Sequence, residues 1–292
     1  MNNRDLGKSR HVSLVQESSS SVTRRQFLLK AGGLAAIGGV IYAGYFRDHH
    51  TNSEKKIQNQ SGETNGILNS EFMHSNVGWT IAMPQSLKPA ELIIFCLHGF
   101  DNNHRMAFDD IDVPAVANSI GLNAVVAAVD GGADNYWHKR ENGTDAMSML
   151  LYEFMPLVQS KVGKLKQAII GWSMGGYGAL LAAEKKPQNF VAVSPASPAL
   201  WLLPGETAPG AFDSPQDFYN NDMFTNIDKL NGKIIAIACG LQDPFYNSTK
   251  LFTESIAVPH RSIFLNGGHD STFWNQAAPL QLKYIGQRLN LL

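Results

Sequence analysis

Residues 167–183 read QAIIGWSMGGYGALLAA, and this stretch decides the fold of the chain. An apolar run leads into Gly171-Trp-Ser173-Met-Gly175, and a helix rich in Ala and Leu follows. A serine in this strand-turn-helix setting is forced onto a sharp corner, where its hydroxyl can act as a nucleophile. Glycine at 171 and 175 leaves room where a Cβ would collide with the strand or helix nearby. The alternative is a glycine-rich turn that only packs a helix on a sheet.

Short apolar runs recur around this stretch, and several are continuous rather than alternating, which is typical of strands buried on both faces of a parallel sheet. The predicted strands are 92–97, 124–129, 167–170, 190–193, 233–238 and 262–265. Helical spacing is found at 145–162 and 175–184, and residues 72–83 have the pattern of antiparallel strands. The alternation predicts an α/β fold with a mostly parallel, doubly wound sheet and helices on both faces.

The near-zero net charge, 24 Lys and Arg against 25 Asp and Glu, conceals two unlike parts. Residues 1–65 hold nine Lys and Arg and five Asp and Glu, so the other 227 residues hold 15 and 20. An acidic body without clustered cations argues against nucleic acid as a partner, because phosphate binding needs such clusters. With 44% hydrophobic residues, the chain is also unlike a disordered or fibrous protein.

The basic part is typical of an export leader. Arg24-Arg25-Gln-Phe-Leu precedes the uncharged run 31–46, which is shorter than the roughly 20 residues of a membrane span. It resembles a twin-arginine signal, which implies contact with the twin-arginine export machinery and a location outside the cytoplasm. We predict a leader at 1–47, a polar linker at 48–66 and one domain at 67–292. Cleavage of the leader and its retention as a membrane tether both stay open.

A nucleophilic serine needs a histidine to take its proton and a carboxylate to orient that histidine. In this architecture the acid and the histidine follow the serine in the chain. His269 follows the last predicted strand, at the carboxyl edge where parallel sheets place their sites, whereas His260 precedes it. Asp243 follows the strand at 233–238, with Asp222 or Asp228 as fallback.

The negative charge of a tetrahedral intermediate needs two preorganised N–H donors. The motif places one on the residue after the serine and the other in the loop after the third strand. Those positions are Met174 and Phe100, the latter in Leu97-His98-Gly99-Phe100. We interpret His98 as a structural hydrogen-bonding residue rather than a catalyst.

Residues 197–230 interrupt the alternation with a segment rich in Pro, Gly, Asn and Asp that carries five scattered aromatic residues. So long a loop inside a domain is typical of a lid or a binding insertion, and the alternative is a surface excursion that its aromatics anchor. Trp201 in this segment, with Trp172 and Trp274, is a candidate for substrate contact. We expect neither a metal nor another cofactor, and we interpret His49-His50 as part of the linker.

The chain resembles the "putative esterase" family of α/β-hydrolases, which includes feruloyl esterases, S-formylglutathione hydrolases and the antigen 85 mycolyltransferases. The matching pieces are Leu97-His-Gly99, Asp130-Gly-Gly with Trp137, the stretch 171–180, Gly240-x-x-Asp243 and Gly268-His-x4-Trp274. The resemblance implies an α/β-hydrolase fold over roughly residues 70–290. It also implies a triad of Ser173, Asp243 and His269 and an oxyanion hole at Phe100 and Met174.

Three functions are compatible with these residues. The first is an exported serine esterase that hydrolyses a small-molecule or lipid ester through an acyl-serine intermediate. The second is an acyltransferase of the mycolyltransferase or diacylglycerol acyltransferase type, in which an alcohol instead of water resolves the same intermediate. The third is a non-catalytic binding protein on a hydrolase scaffold.

Overall fold

Parallel strands form the centre of the structure, a computed structural model that describes residues 62–292. Within these residues the strands are β1 (Glu63–Ser70), β2 (Ser75–Ala82), β3 (Leu92–Leu97), β4 (Ala124–Val129), β5 (Lys166–Trp172), β6 (Ala192–Ala196), β7 (Ile234–Gly240) and β8 (Arg261–Leu265). They form one sheet in the order β1-β2-β4-β3-β5-β6-β7-β8. Strands β3 to β8 are parallel, and β1 and β2 join one edge in antiparallel pairing.

Helices cover both faces of the sheet. They are α1 (Val113–Ser119), α2 (Ala146–Ser148), α3 (Met155–Val162), α4 (Met174–Lys185), α5 (Pro215–Asn220), α6 (Tyr246–Glu254) and α7 (Ser271–Arg288), with π-helical segments at Met106–Asp110 and Met149–Phe154. Successive side chains of a strand point to opposite faces. Accordingly, Ile93 and Phe95 of β3 pack in the core under α3 and α4, whereas Ile94 and Cys96 pack in the core under α1 and α7.

The parallel part of the sheet confirms the sequence prediction. β3 and β4 occupy the predicted ranges, and β5, β7 and β8 lie within a few residues of theirs. β6 differs most, because it runs through Pro195 to Ala196 while the predicted strand ends at Val193. A proline cannot donate a ladder hydrogen bond and normally ends a strand pattern, yet Pro195 pairs in register with Gly171.

The antiparallel edge begins earlier than predicted. β1 starts at Glu63 and pairs with β2 along its whole length, from Glu63 opposite Ala82 to Ser70 opposite Ser75. The linker boundary at residue 66 and the placement of both antiparallel strands within 72–83 are therefore wrong. The reason is that β1 is an edge strand whose first half, residues 63–66, holds polar residues and a glycine, and such strands lack a clear apolar alternation.

The predicted leader at 1–47 and most of the predicted linker lie outside the described residues. From Gly62 to the C-terminus, no helix is both long enough and apolar enough to cross a membrane. Export and membrane tethering therefore stay predictions.

The corner between β5 and α4 depends on a glycine contact. A Cβ on Gly175 would collide with the carbonyl oxygens of Leu97 and His98, both of them backbone atoms. We expect Gly175→Ala to lower the free energy of unfolding by about 3 kcal/mol, because overpacking a rigid core costs about that much. Urea denaturation measures the change. Gly205 faces open space, so Gly205→Ala is the control and should change stability by less than about 0.5 kcal/mol. Equal losses in the two variants would contradict the packing argument.

Candidate active site

Ser173 occupies the corner between β5 and α4. Its φ of 55° and ψ of −117° lie in a region that non-glycine residues rarely adopt. The backbone is held there on both sides, since the Ser173 amide donates to the Ala196 carbonyl at 3.0 Å and the Ser173 carbonyl accepts from Tyr177 at 3.0 Å. The predicted strand-turn-helix corner is therefore present in the structure, with Ser173 at its apex.

Three predicted side chains meet at the carboxyl edge of the sheet. Ser173 follows β5, Asp243 follows β7 and His269 follows β8. The His269 Nε2 atom lies 2.8 Å from Ser173 Oγ, and its Nδ1 atom lies 2.9 Å from Asp243 Oδ2. Because a carboxylate only accepts, Nδ1 carries the proton and Nε2 is left to accept from the serine hydroxyl. The side chains thus form the hydrogen-bonded chain that proton transfer from serine requires, while their catalytic roles stay predictions.

Asp243 is held as a carboxylate by hydrogen-bond donors. Its Oδ1 atom accepts from the Phe245 amide at 2.8 Å, and its Oδ2 atom faces His269. Burial raises the pKa of Asp243, but attraction to His269 and hydrogen bonds from His269 and Phe245 outweigh burial and hold the pKa below its ordinary value. The side chain is therefore ionised at neutral pH, as a group that orients and stabilises a protonated histidine must be.

The loops after β7 and β8 are tied together by two hydrogen bonds between Gln242 and Gly267. The Gln242 amide donates to the Gly267 carbonyl at 3.0 Å, and the Gly267 amide donates to Gln242 Oε1 at 2.7 Å. A Cβ on Gly240 would collide with the Gly267 carbonyl oxygen, so the approach of the two loops requires glycine at 240. This pairing fixes the spacing between Asp243 and His269.

Asp222 and Asp228, the alternative candidates for the acid, do not occupy the position of Asp243. Asp222 is buried, and its carboxylate accepts from the Thr225 hydroxyl at 2.8 Å and from the Phe224 amide at 3.2 Å. Asp228 is exposed on a short 3₁₀-helix in the insertion. Of the acids considered, Asp243 is the one that contacts His269.

His98 orients the loop that carries Phe100. Its Nε2 atom accepts from the Gly131 amide at 2.9 Å, so its Nδ1 atom carries the proton and donates to the Gly99 carbonyl at 2.8 Å. Burial lowers the pKa of His98 to about 4, which keeps the ring neutral at neutral pH. Because the peptide is planar and trans, fixing the Gly99 carbonyl also fixes the Phe100 N–H on the opposite side.

The same loop passes beside the serine. A Cβ at Gly99 would lie 3.6 Å from the Ser173 Cβ atom and 3.4 Å from the Trp172 carbonyl oxygen. Met174 is the first residue of α4, directly after Ser173. Both predicted oxyanion-hole residues thus belong to segments that border Ser173, and their role in binding an oxyanion stays a prediction.

The three tryptophans predicted to contact substrate have different positions. Trp172 is 2% exposed and packs in the core under α7, a position that does not favour contact with substrate, and its predicted role stays a prediction. It follows Ile170 on the same face of β5, and strand alternation directs both side chains to α7. Trp274 contacts the imidazole of His269, with ring centroids 5.4 Å apart. Trp201 is buried and packs against Phe245, whose ring in turn contacts His269, so Phe245 lies between Trp201 and the histidine.

The insertion at 197–230 is fastened to the body of the domain. Its aromatic side chains Trp201 and Phe212 pack against Tyr136. Arg140 and Asp213 form a paired ion contact, with one N–O distance of 2.7 Å. These contacts show that the aromatic residues anchor the segment to the domain, as in the second of the two interpretations of the insertion.

Two residues at the site were missed by sequence reasoning. Phe245 donates its amide to Asp243 and places its ring against His269. Ser197 is fully buried, and its hydroxyl accepts a hydrogen bond from the Trp274 indole N–H at 3.0 Å. The only sequence signal for Phe245 was its proximity to Asp243, whereas Ser197 lies 46 positions before Asp243 and carries no motif.

Comparison with known proteins identifies the family. The family model described as "Putative esterase" matches residues 70–279, which is more than half of the chain. No protein among the curated sequences matches the chain significantly.

Solved structures share the architecture at low identity. A ferulic acid esterase superposes with a TM-score of 0.67 at 18% identity, over 77% of this chain and 98% of its own. The S-formylglutathione hydrolase FrmB of Staphylococcus aureus superposes with a TM-score of 0.61 at 18% identity, over 76% of this chain and 98% of its own. MPT51 (FbpC1) of Mycobacterium tuberculosis superposes with a TM-score of 0.62 at 15% identity, over 78% of this chain and 99% of its own. These likenesses show that the fold is that of the α/β-hydrolases, as predicted. Because the family model spans most of the described residues, the chain belongs to the esterase family.

Proposed function

We propose that the chain is a serine hydrolase that cleaves carboxylic esters through an acyl-Ser173 intermediate. The observation that carries the proposal is the hydrogen-bonded chain from Ser173 through His269 to Asp243. Membership of the esterase family supports an ester as the substrate class.

Acylation follows from the direction of these hydrogen bonds. His269 Nε2 takes the proton of Ser173 as Oγ forms a bond to the carbonyl carbon of the ester. The carbonyl oxygen becomes an oxyanion, for which the N–H groups of Phe100 and Met174 are the proposed donors. The tetrahedral intermediate then loses the alcohol, which receives its proton from His269. The acyl group is left on Ser173 as a new ester.

Deacylation repeats the same steps with water. His269 removes a proton from the water as its oxygen attacks the acyl carbon, and it returns that proton to Ser173 Oγ when the acid leaves. Asp243, which stays ionised, stabilises the protonated imidazole in both halves of the reaction. If an alcohol enters instead of water, the same residues transfer the acyl group.

A panel of esters with varied acyl length tests the proposal and distinguishes hydrolysis by water from acyl transfer to an alcohol. Each ester is incubated with the purified protein, with and without glycerol, diacylglycerol or trehalose, and both free acid and acylated alcohol are quantified. We expect free acid as the main product under every condition. Predominant transfer to an added alcohol would contradict the hydrolase assignment, and the absence of either product for all esters would contradict ester chemistry altogether.

We further propose that the leader directs export through the twin-arginine pathway. The supporting observation is the Arg24-Arg25 pair followed by an uncharged, Gly- and Ala-rich run. Replacing both arginines by lysine keeps the charge but removes the guanidinium pair. We expect the double variant to stay in the cytoplasmic fraction, as judged by immunoblots of fractionated cells. Arg10→Lys, a change outside the pair, is the control, and normal export of the double variant would contradict the proposal.

A further inference from the structure

The two proposed oxyanion-hole donors lie on separate segments of the chain. The Phe100 N–H belongs to the loop after β3, and the Met174 N–H belongs to the first residue of α4. An oxyanion hole needs both donors at hydrogen-bond distance from one oxygen atom, and a displacement of about 1 Å can cost about 100-fold in rate. Such a site therefore needs groups that fix the loop after β3 relative to α4.

Hydrogen bonds hold both peptide groups that flank Gly99. In the first peptide, the Trp137 indole Nε1 donates to the His98 carbonyl at 3.2 Å. The amide of the same peptide donates to the Met106 sulfur at 3.3 Å. In the second peptide, the Gly99 carbonyl accepts from His98 Nδ1 at 2.8 Å. Because a peptide is planar and trans, these contacts together set the direction of the remaining group, the Phe100 N–H.

The Trp137 side chain contacts both the loop after β3 and the nucleophile helix. It is fully buried, and its ring lies against the His98 imidazole with centroids 5.1 Å apart. A Cβ on Gly178 of α4 would lie 2.5 Å from the indole Cγ atom, so the ring packs directly on the helix backbone at that glycine. One side chain thus touches the two segments that carry the proposed donors.

The backbone that presents Trp137 is held in an unusual conformation. Tyr136 and Trp137 have φ of 52° and 58°, so two successive non-glycine residues lie in the left-handed region. Asn135 holds this turn, because its Oδ1 atom accepts from the Trp137 amide at 3.0 Å and its Nδ2 atom donates to the Gly131 carbonyl. Backbone outliers that the surrounding structure enforces are often found at functional sites. Here the enforced turn directs the indole N–H to the His98 carbonyl.

We propose that Trp137 is a positioning residue of the oxyanion hole, which fixes the Phe100 N–H relative to the Met174 N–H. The proposal rests on the hydrolase function proposed above. Trp137 does not need to touch substrate, because it acts through the His98 carbonyl and through its packing on α4. Without the indole N–H, the peptide between His98 and Gly99 can rotate, and the Phe100 N–H loses its fixed direction.

Trp137→Phe removes the indole N–H and keeps an aromatic ring. Its rates with p-nitrophenyl acetate are compared with those of the wild type. We expect kcat and kcat/KM to fall together by about tenfold, since one buried hydrogen bond is worth about that factor and the oxyanion exists only in the transition state. A variant with the wild-type kcat/KM would overturn the proposal.

Trp79→Phe is the matched control for this variant. Trp79 is a buried indole whose Nε1 has no hydrogen-bond partner within the described part of the chain, and it packs in the same core as Trp137. The control variant therefore loses a similar volume without losing a hydrogen bond. We expect it to keep the wild-type kcat/KM. Equal losses in the two variants would show that core packing alone is responsible and would overturn the proposal.

A thionoester substrate gives a readout that a general loosening of the fold would not move. Sulfur in place of the carbonyl oxygen accepts hydrogen bonds weakly, so an intact oxyanion hole favours an ester over its thionoester analogue. We expect the ratio of kcat/KM for the ester to kcat/KM for the thionoester to fall several-fold in Trp137→Phe and to stay unchanged in Trp79→Phe. An equal loss for both substrates in Trp137→Phe would overturn the proposal.

An isosteric replacement covers the case in which Trp137→Phe does not fold. The amino acid 3-benzothienylalanine, introduced at position 137 through an expanded genetic code, has sulfur where tryptophan has N–H and keeps the bicyclic shape. We expect the same loss of kcat/KM and the same fall in the ratio of ester to thionoester. Wild-type values of both would show that the N–H is not needed and would overturn the proposal.

Hydrogen exchange separates this inference from the proposed function. Exchange of the backbone amides is followed by mass spectrometry, without substrate, on the peptide that contains residues 98–104. We expect faster exchange there in both Trp137 variants and no change there in Trp79→Phe. A wild type without esterase activity, together with this local change, would refute the hydrolase function and support the hold of Trp137 on the loop. Unchanged exchange at 98–104 in the benzothienylalanine variant would overturn the positioning role whatever the activity.

Discussion

Replacing Ser173 by alanine is expected to lower kcat for ester hydrolysis by about 10⁶-fold, the scale of loss when the nucleophile of a serine triad is removed. The reason is that the variant has no oxygen at the atom that His269 Nε2 faces at 2.8 Å. Initial rates with p-nitrophenyl acetate, measured at high enzyme concentration, check the value. The change deletes one oxygen atom from a buried side chain, so the fold should persist.

The control for this variant is Ser194→Ala. Ser194 is also buried, and its hydroxyl donates to the Ala236 carbonyl at 2.7 Å, within the sheet and away from the triad. We expect it to lose some stability and to keep its activity per folded molecule. Circular dichroism shows whether each variant is folded. If folded Ser173→Ala retains more than about a hundredth of wild-type activity, far above what an oxyanion hole alone supports, Ser173 is not the nucleophile.

Replacing Asp243 by asparagine is expected to lower kcat by about 10⁴-fold, as in other serine triads in which the acid becomes an amide. The Phe245 amide donates to Oδ1 of Asp243 at 2.8 Å, so the side-chain oxygen of the introduced amide would occupy that position. The NH₂ group of the same amide would then face His269 Nδ1. A donor at that point forces the imidazole proton onto Nε2, where it blocks acceptance of the serine proton. Steady-state rates over a range of pH measure the loss.

Asp222→Asn distinguishes the two candidate acids. Asp222 is as deeply buried as Asp243, and it bonds to Thr225 and Phe224 rather than to His269. We expect this variant to lose some stability and to keep activity within about tenfold of the wild type. A loss of 10⁴-fold in Asp222→Asn with near-normal Asp243→Asn would reverse the assignment of the acid.

The elements that carry the site could be predicted because each had a strong local signal. β3 and β4 are continuous apolar runs with sharp polar borders, and all their residues are buried. Ser173 is identified by its flanking glycines, Gly171 and Gly175, where a Cβ would collide with backbone atoms. Asp243 and His269 follow from chain order and from the rule that sites lie beyond the carboxyl ends of parallel strands.

The parts that were missed depend on contacts between distant segments. Ser197 bonds to Trp274, 77 positions away, and no local pattern marks such a pair. The start of β1 was hidden because an edge strand is defined by its partner β2 rather than by its own hydrophobicity. The position of Trp172 could not be predicted either, because proximity to Ser173 in sequence does not give proximity of side chains. Adjacent residues of a strand point to opposite faces of the sheet, and Trp172 points to α7.

Covalent labelling of the serine tests the central claim most directly. The purified wild type and Ser173→Ala are treated with a fluorophosphonate probe, and the modified peptide is identified by mass spectrometry. We expect the wild type to carry one phosphonyl group on Ser173, because His269 activates that hydroxyl, and we expect folded Ser173→Ala to remain unlabelled. Equal labelling of the two proteins, or labelling of the wild type at another residue, would contradict the assignment of Ser173 as the nucleophile.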